Sequence, residues 1–234
     1  MSVAVITGAT KGMGKAIAEK LWNNGFDLAL CARTTHDLEA LRDRWSPQFP
    51  RQKIWVQTVD VKEKEQVLDF AKQVLNTFPQ IDILVNNAGL FLPGNLMEEP
   101  EHQLENMMKI NVYSVYYLTR ALLPSMLQQG SGHIFNMCSV ASLKAYPNGG
   151  SYSISKYALM GFSENLRYEL KDRNIKVTAI TPGAVWTNSW KDSGVPEDRM
   201  MQAKDIADIL WTTYQLSGQA VVENIIMRPQ LGDI

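Results

Sequence analysis

Cysteine, histidine and long hydrophobic runs are all scarce in this chain of 234 residues, and each scarcity narrows its class. Two cysteines, Cys31 and Cys138, cannot build the disulfide framework of a small secreted domain, so a reducing, cytoplasmic setting is expected. The three histidines, His36, His102 and His133, lack metal-ligand spacing and read as surface or strand-end residues, so no metal site is expected. No apolar run approaches the ~18 residues that a membrane span needs. The opening run Val3-Ala4-Val5-Ile6 lacks the basic region and cleavage site of a signal peptide. Neither charge sign is in excess, since 23 basic and 24 acidic residues leave a net −1. Neither nucleic acid nor an anionic membrane is therefore an expected partner. Repeats, low-complexity tracts and linkers are missing too, and residues 1–234 read as one domain with a substantial core.

What remains is a regular alternation. Short β-branched or apolar runs fall at 3–7, 27–32, 53–59, 83–86, 133–137, 176–180 and 219–226. Helical patterns lie between them near 12–24, 36–45, 63–77, 102–128, 152–172 and 203–215. Such alternation predicts an α/β fold with a parallel sheet and helices on both faces. Two of these helices are more apolar than one buried face requires. Met107, Ile110, Val112, Tyr113, Val115 and Tyr116 spread around the 102–128 cylinder, and Ala158 to Phe162 form an unbroken apolar or small run. Burial on more than one side follows. Homo-oligomerisation as a dimer or tetramer is one explanation, and a large central core is the other.

The first strand runs into Thr7-Gly8-Ala9-Thr10-Lys11-Gly12-Met13-Gly14. Gly8 ends the strand while Gly12 and Gly14 open the next helix. Missing side chains permit a tight turn and close backbone approach to a pyrophosphate, which the helix N-terminus faces with unpaired N–H groups. A glycine-rich turn alone is weak evidence, but its place between a strand and an amphipathic helix makes dinucleotide binding the expectation. NAD sites commonly place an acid about 20 residues on. Here the second strand ends Leu30-Cys31-Ala32-Arg33-Thr34 instead. Arg33 can pair with a 2′-phosphate, and Lys11 adds a second cation, so NADP(H) is expected ahead of NAD.

Tyr152 and Lys156 stand one helical turn apart, thirteen residues beyond Ser139. Free tyrosine titrates near pH ~10 and is a poor base at neutral pH. A neighbouring ammonium favours the phenolate, and the same phenol when protonated can hand its proton to a carbonyl oxygen. Ser139 follows the fifth strand, where its hydroxyl can donate to an oxygen gathering charge. Asn111 lies inside the long preceding helix, and an asparagine buried there needs hydrogen-bond partners. Together these residues point to nicotinamide-dependent redox chemistry with a tyrosine proton donor.

With these pieces in order, the chain resembles the short-chain dehydrogenase/reductase family over nearly its whole length. The resemblance rests on Thr7-Gly8-x-x-x-Gly12-x-Gly14, Asp60-Val61, Asn86-Asn87-Ala88-Gly89, Asn111, Ser139, Tyr152-x-x-x-Lys156 and Pro182-Gly183-x-Val185-x-Thr187. It implies a Rossmann-like, doubly wound, parallel seven-stranded sheet of order 3-2-1-4-5-6-7, and a tetrad of Asn111, Ser139, Tyr152 and Lys156. It further implies that Asp60 and Val61 meet the adenine and that Asn87, Ala88 and Gly89 support the adenosine half. Pro182, Gly183, Val185 and Thr187 would embrace the nicotinamide, with Lys156 on its ribose and Met13 and Thr10 within the glycine turn. Asn111 would kink its helix and anchor a water relay. The tail Met227-Arg228-Pro229-Gln230-Leu231-Gly232-Asp233-Ile234 departs from the glycine-rich tail with which many relatives build tetramers.

Trp186, Trp190, Met200, Met201, Phe91, Leu92, Pro93 and Tyr146 are candidates to line a hydrophobic pocket, with Arg199 or Lys191 as possible clamps for a carboxylate. The expected activity is NADPH-dependent reduction of ketones or aldehydes, reversible as alcohol oxidation. The alternatives are a 3-oxoacyl thioester reductase and a non-catalytic NADP(H)-binding regulator.

Overall fold

The structure, a computed structural model, describes residues 1–187, 190 and 194–234. Seven strands form its centre: β1 (Val3–Thr7), β2 (Asp27–Ala32), β3 (Ile54–Thr58), β4 (Ile83–Asn86), β5 (Gly132–Met137), β6 (Ile175–Pro182) and β7 (Asn224–Met227). They lie in the order β3-β2-β1-β4-β5-β6-β7, and every pairing is parallel. This is the architecture expected from the sequence.

Parallel strands cannot be joined by hairpins, so helices cross over and cover both faces. On one face, α1 (Gly12–Trp22), α2 (Thr35–Trp45) and α7 (Ala203–Tyr214) pack Ile17, Leu38 and Leu210 against Ala4 and Ile6 of β1. On the other, α3 (Lys64–Thr77), α5 (Ser114–Gln129) and α6 (Gly150–Leu170) pack Phe70, Leu122 and Leu166 against Val3 and Val5. Alternate residues of one strand thus feed opposite cores, which is why β1 is apolar from Val3 to Ile6. A buried polar chain fastens α5 and α6 to the middle of the sheet. The Asn86 amide donates to Thr119 Oγ1 (3.0 Å) and Asn136 Oδ1 (2.8 Å), and the Asn136 amide donates to Ser163 Oγ (2.9 Å).

Two expectations are corrected. The helix expected over 102–128 is broken: α4 (Gln103–Met108) leads through a π-helical turn, Lys109–Tyr113, into α5. A π turn carries one residue more than an α turn, and here it accommodates Asn111, whose amide is held from outside the helix. The last strand begins at Asn224 rather than 219: the chain first turns at 217–220, where Ala220 N–H donates to Ser217 O at 3.1 Å. Among the described residues, no helix is long and apolar enough to cross a membrane.

His133 in β5 is buried at 2 % exposure rather than on the surface, with its ring stacked on Phe135 at 3.9 Å between centroids. Thr178 Oγ1 donates to Val222, so it accepts from His133 Nε2–H at 2.8 Å, which leaves the buried Nδ1 without a hydrogen-bond partner. Burial pushes this imidazole down from 6.5 to about 3. Between those values the unfolded chain binds a proton that the folded one refuses, so stability rises with pH. His133 therefore stabilises the fold above pH 6.5, and that contribution drains away as pH falls toward about 3. The expected loss is about 1.4 kcal/mol per pH unit. Urea midpoints measured from neutral pH down into this window should fall more steeply for the wild type than for His133→Gln.

Candidate active site

All seven strands deliver chain to the same edge, and the order reverses between β1 and β4, where a crevice opens. Gly8 leaves β1 with φ +66°, a conformation that side chains disfavour. A Cβ on Gly14 would come within 2.3 Å of both Asn87 Nδ2 and the Gly8 carbonyl. The glycine turn is thereby knitted to the exit of β4. The Thr7 hydroxyl accepts from the Asn87 (3.0 Å) and Ala88 (2.9 Å) N–H groups, and the Asn87 amide returns to the Thr7 (2.9 Å) and Gly8 (3.2 Å) carbonyls. No side chain caps α1, and its first turn holds no acid, so its N–H groups and positive dipole end remain available to an anion.

A cavity of about 360 Å³ lies over this turn. Gly8, Thr10, Lys11, Gly12, Met13 and Gly14 form one side, Arg33, Asp60 and Val61 another, and Asn87, Ala88 and Gly89 the floor. Arg33 is exposed and makes no ion pair among the described residues, whereas Lys11 lies 3.1 Å from Asp37. A second cavity, of about 290 Å³, adjoins it and shares Met13, Asn87, Gly89, Leu90 and Thr187. Ser139, Tyr152, Lys156, Pro182, Gly183 and Val185 line this second space. Two joined chambers, one floored by an anion-binding turn, fit an elongated dinucleotide.

Ser139 follows β5 by two residues and caps a short turn, its Oγ accepting from Ala141 N–H at 3.2 Å. The hydroxyl proton is left for an acceptor in the cavity. On α6, Lys156 is only 5 % exposed, donates to the Met137 carbonyl at 2.8 Å, and makes no ion pair among the described residues. Its ammonium stands 5.7 Å from the centre of the Tyr152 ring. The Phe91 ring packs edge-on against Tyr152, 4.8 Å between centroids.

Asn111 is fully buried and does not line the cavity. Its Oδ1 accepts from Leu90 N–H (2.8 Å), and its amide donates to Leu90 O (2.9 Å) and Ser155 Oγ (2.9 Å). Ser155 in turn donates to the Tyr152 carbonyl at 2.7 Å. Asn111 therefore braces the loop after β4 and the tyrosine's own turn together. Sequence reasoning passed over Ser155, although a serine three residues after the tyrosine and one before the lysine was a usable signal.

Burial raises the Cys138 thiol above its usual range despite nearby Lys156, which removes it as a nucleophile. Tyr146 lines the second cavity, and burial followed by the charge of Tyr152 pushes it up to about 12, so it stays a neutral hydrogen-bonding group. Phe91 and Trp190 line the same space. Met200 and Met201, in contrast, are buried, with Met201 in the main core. Arg199 spends its guanidinium on the carbonyls of Leu231, Gly232 and Asp233, at 3.1 to 3.3 Å, so it is committed to the tail. Lys191 lies outside the described residues.

The chain belongs to the short chain dehydrogenase family, whose model matches residues 2–197. Across 97 % of its length it is 36 % identical to an uncharacterized oxidoreductase of Staphylococcus saprophyticus, of which it covers 97 %. It is also 34 % identical to the sepiapterin reductase of Chlorobaculum tepidum, over 99 % of this chain and 98 % of that one. An alcohol dehydrogenase from Thermococcus sibiricus, solved in complex with 5-hydroxy-NADP, superposes with a TM-score of 0.90. Identity in that pair is 30 %, over 98 % of this chain and 97 % of that one. The protein is an oxidoreductase of the class that interconverts CH–OH and C=O groups.

Gly14→Ala should be costly, because its methyl group meets the Gly8 carbonyl, which is backbone, as well as the Asn87 amide. Overpacking of this kind costs about 1–3 kcal/mol, and a lowered thermal midpoint should report it.

Proposed function

We propose that this chain is an NADPH-dependent reductase of ketones and aldehydes, able to run in reverse as an alcohol dehydrogenase. One observation carries the reading. The buried, carboxylate-free ammonium of Lys156 stands beside the ring of Tyr152 in a cavity that also holds Ser139 and joins the glycine-turn chamber. A non-catalytic NADP(H) binder has no use for that arrangement.

The chain's own features fit the cofactor. Gly8 through Gly14, with Thr10, Lys11 and Met13, would hold the pyrophosphate, and Arg33 and Lys11 the 2′-phosphate. Asp60 and Val61 would meet the adenine and Asn87, Ala88 and Gly89 the adenosine half. Lys156, Pro182, Gly183, Val185 and Thr187 would hold the nicotinamide end. The NADP analogue bound by the Thermococcus sibiricus alcohol dehydrogenase supports this choice over NAD. When bound, the nicotinamide supplies or accepts hydride. The protein's part is proton and charge management. Ser139 donates a hydrogen bond to the substrate oxygen, Tyr152 gives that oxygen its proton, and Lys156 stabilises the phenolate left behind. Asn111 holds the tyrosine's turn in place.

Leu90, Phe91, Val140, Tyr146 and Trp190 make the substrate chamber largely apolar and aromatic, suited to a small hydrophobic carbonyl compound. A carrier-protein thioester would want a basic entrance. Lys144 lies 3.8 Å from Asp233, and Lys204 pairs with Asp208, so both cations are already engaged. Leu104, Tyr113, Tyr116, Ile154 and Tyr157 are exposed apolar groups on α4 to α6, and they support a homo-oligomer built on that face.

Tyr152→Phe should abolish NADPH-linked ketone reduction, followed by nicotinamide absorbance, while nucleotide affinity stays within about twofold. Retained turnover would refute the proton-donor role. Arg33→Ser should weaken NADPH binding about tenfold to a hundredfold, the worth of a charge-assisted contact, and leave NADH binding unchanged. Equal losses for both nucleotides in a titration would remove Arg33 from the 2′-phosphate.

A further inference from the structure

The catalytic helix α6 starts without a cap of its own. Its N-cap residue is Gly149, no side chain bonds its first N–H groups from within, and its first turn contains no acid. The missing anion comes from 52 residues away in sequence. Glu99, half-buried in the loop that follows β4, accepts from Ser151 N–H at 3.2 Å with Oε2 and from the Ser151 hydroxyl with Oε1. Gln103 of α4 donates to Oε2 as well, at 3.1 Å. Ser151 and Gln103 are both buried.

Two glycines make room for this carboxylate. A Cβ on Gly150, whose φ is +29°, would lie 2.6 Å from Glu99 Oε2 and 2.4 Å from the Gly94 carbonyl. A Cβ on Gly94 would lie 3.2 Å from the same oxygen. Gly94 N–H also donates to Asn148 O at 3.0 Å, stitching the two loops directly. A negative group at a helix N-terminus satisfies orphan N–H donors and the positive dipole end together. Tyr152 is the next residue along. Its ring packs against Phe91, which belongs to the same loop as Glu99. The loop after β4 thus holds the residue before the tyrosine through Glu99 and the tyrosine's own ring through Phe91.

We infer that Glu99 is a positioning residue for Tyr152: its carboxylate pins the first turn of α6 so that the phenol is held where the carbonyl oxygen will lie. The inference rests on the proposed role of Tyr152 as proton donor. A glutamine removes the negative charge that faces the positive end of the helix, and its NH₂ can keep the Ser151 contact only by turning that hydroxyl into an acceptor.

The test compares wild type, Glu99→Gln and Glu99→Asp as NADPH-loaded enzymes. Misplacement by about 1 Å can cost about a hundredfold. Glu99→Gln should therefore lose about tenfold to a hundredfold in kcat for ketone reduction, with KM and NADPH affinity within about twofold. Glu99→Asp, which keeps the charge, should recover part of the rate, and it serves as the reporting variant if the glutamine chain does not fold. Amide hydrogen exchange at residues 151–154, which requires no turnover, should speed up in Glu99→Gln. Unchanged kcat or unchanged exchange would overturn the inference. A wild type that turns over no carbonyl compound would instead refute the proposed reaction and with it the catalytic meaning of the anchor, while the exchange result would still show whether the anchor exists.

Discussion

A parallel ladder admits no direct return, and that constraint organises everything else in this molecule. Each strand must leave at the same edge and travel back through a helix, so seven strands bring their exits to one rim. Thr7, Asn86 and Met137 end β1, β4 and β5 side by side. The glycine turn, the Asn87–Gly89 floor and Ser139 follow directly from those ends. Groups far apart in sequence become neighbours without any dedicated scaffold. The helices add the one feature the rim cannot make, a phenol and an ammonium stacked a turn apart and facing inward.

Electrostatics then exploits the dryness that this packing creates. Lys156 is buried among strand ends with a backbone carbonyl as its hydrogen-bond partner, so its field is not spent on a carboxylate. The same burial disarms potential competitors. It lifts the thiol of Cys138 and the phenol of Tyr146, which therefore stay neutral where Tyr152 has a cation beside it. Chemically similar groups a few residues apart thus receive different roles from their surroundings alone.

Local pattern was enough for β1, β2 and β4 and for the glycine turn, because these strands are buried on both faces and read as largely apolar runs. The spacing of Tyr152 and Lys156 put both on one helical face for the same local reason. Non-local determinants stayed hidden. The π turn at Lys109–Tyr113 accompanies bonds that Asn111 makes to Leu90 and Ser155, which no periodicity encodes. The fate of Arg199 rests on a tail more than thirty residues away. Met200 and Met201 show the opposite trap: apolar residues in a loop near the pocket can belong to the core beneath it.

The crossing of Thr7 and Asn87 has a consequence of its own. Four hydrogen bonds join the turn after β1 to the strand exit that forms the floor, and the shared residues Met13, Gly89 and Thr187 span both chambers. The proposed cradle for the nucleotide is therefore one bonded unit rather than two hinged halves. Divergence in what the enzyme accepts is channelled to the opposite rim, where Phe91, Tyr146 and Trp190 can be exchanged without loosening the grip on the cofactor.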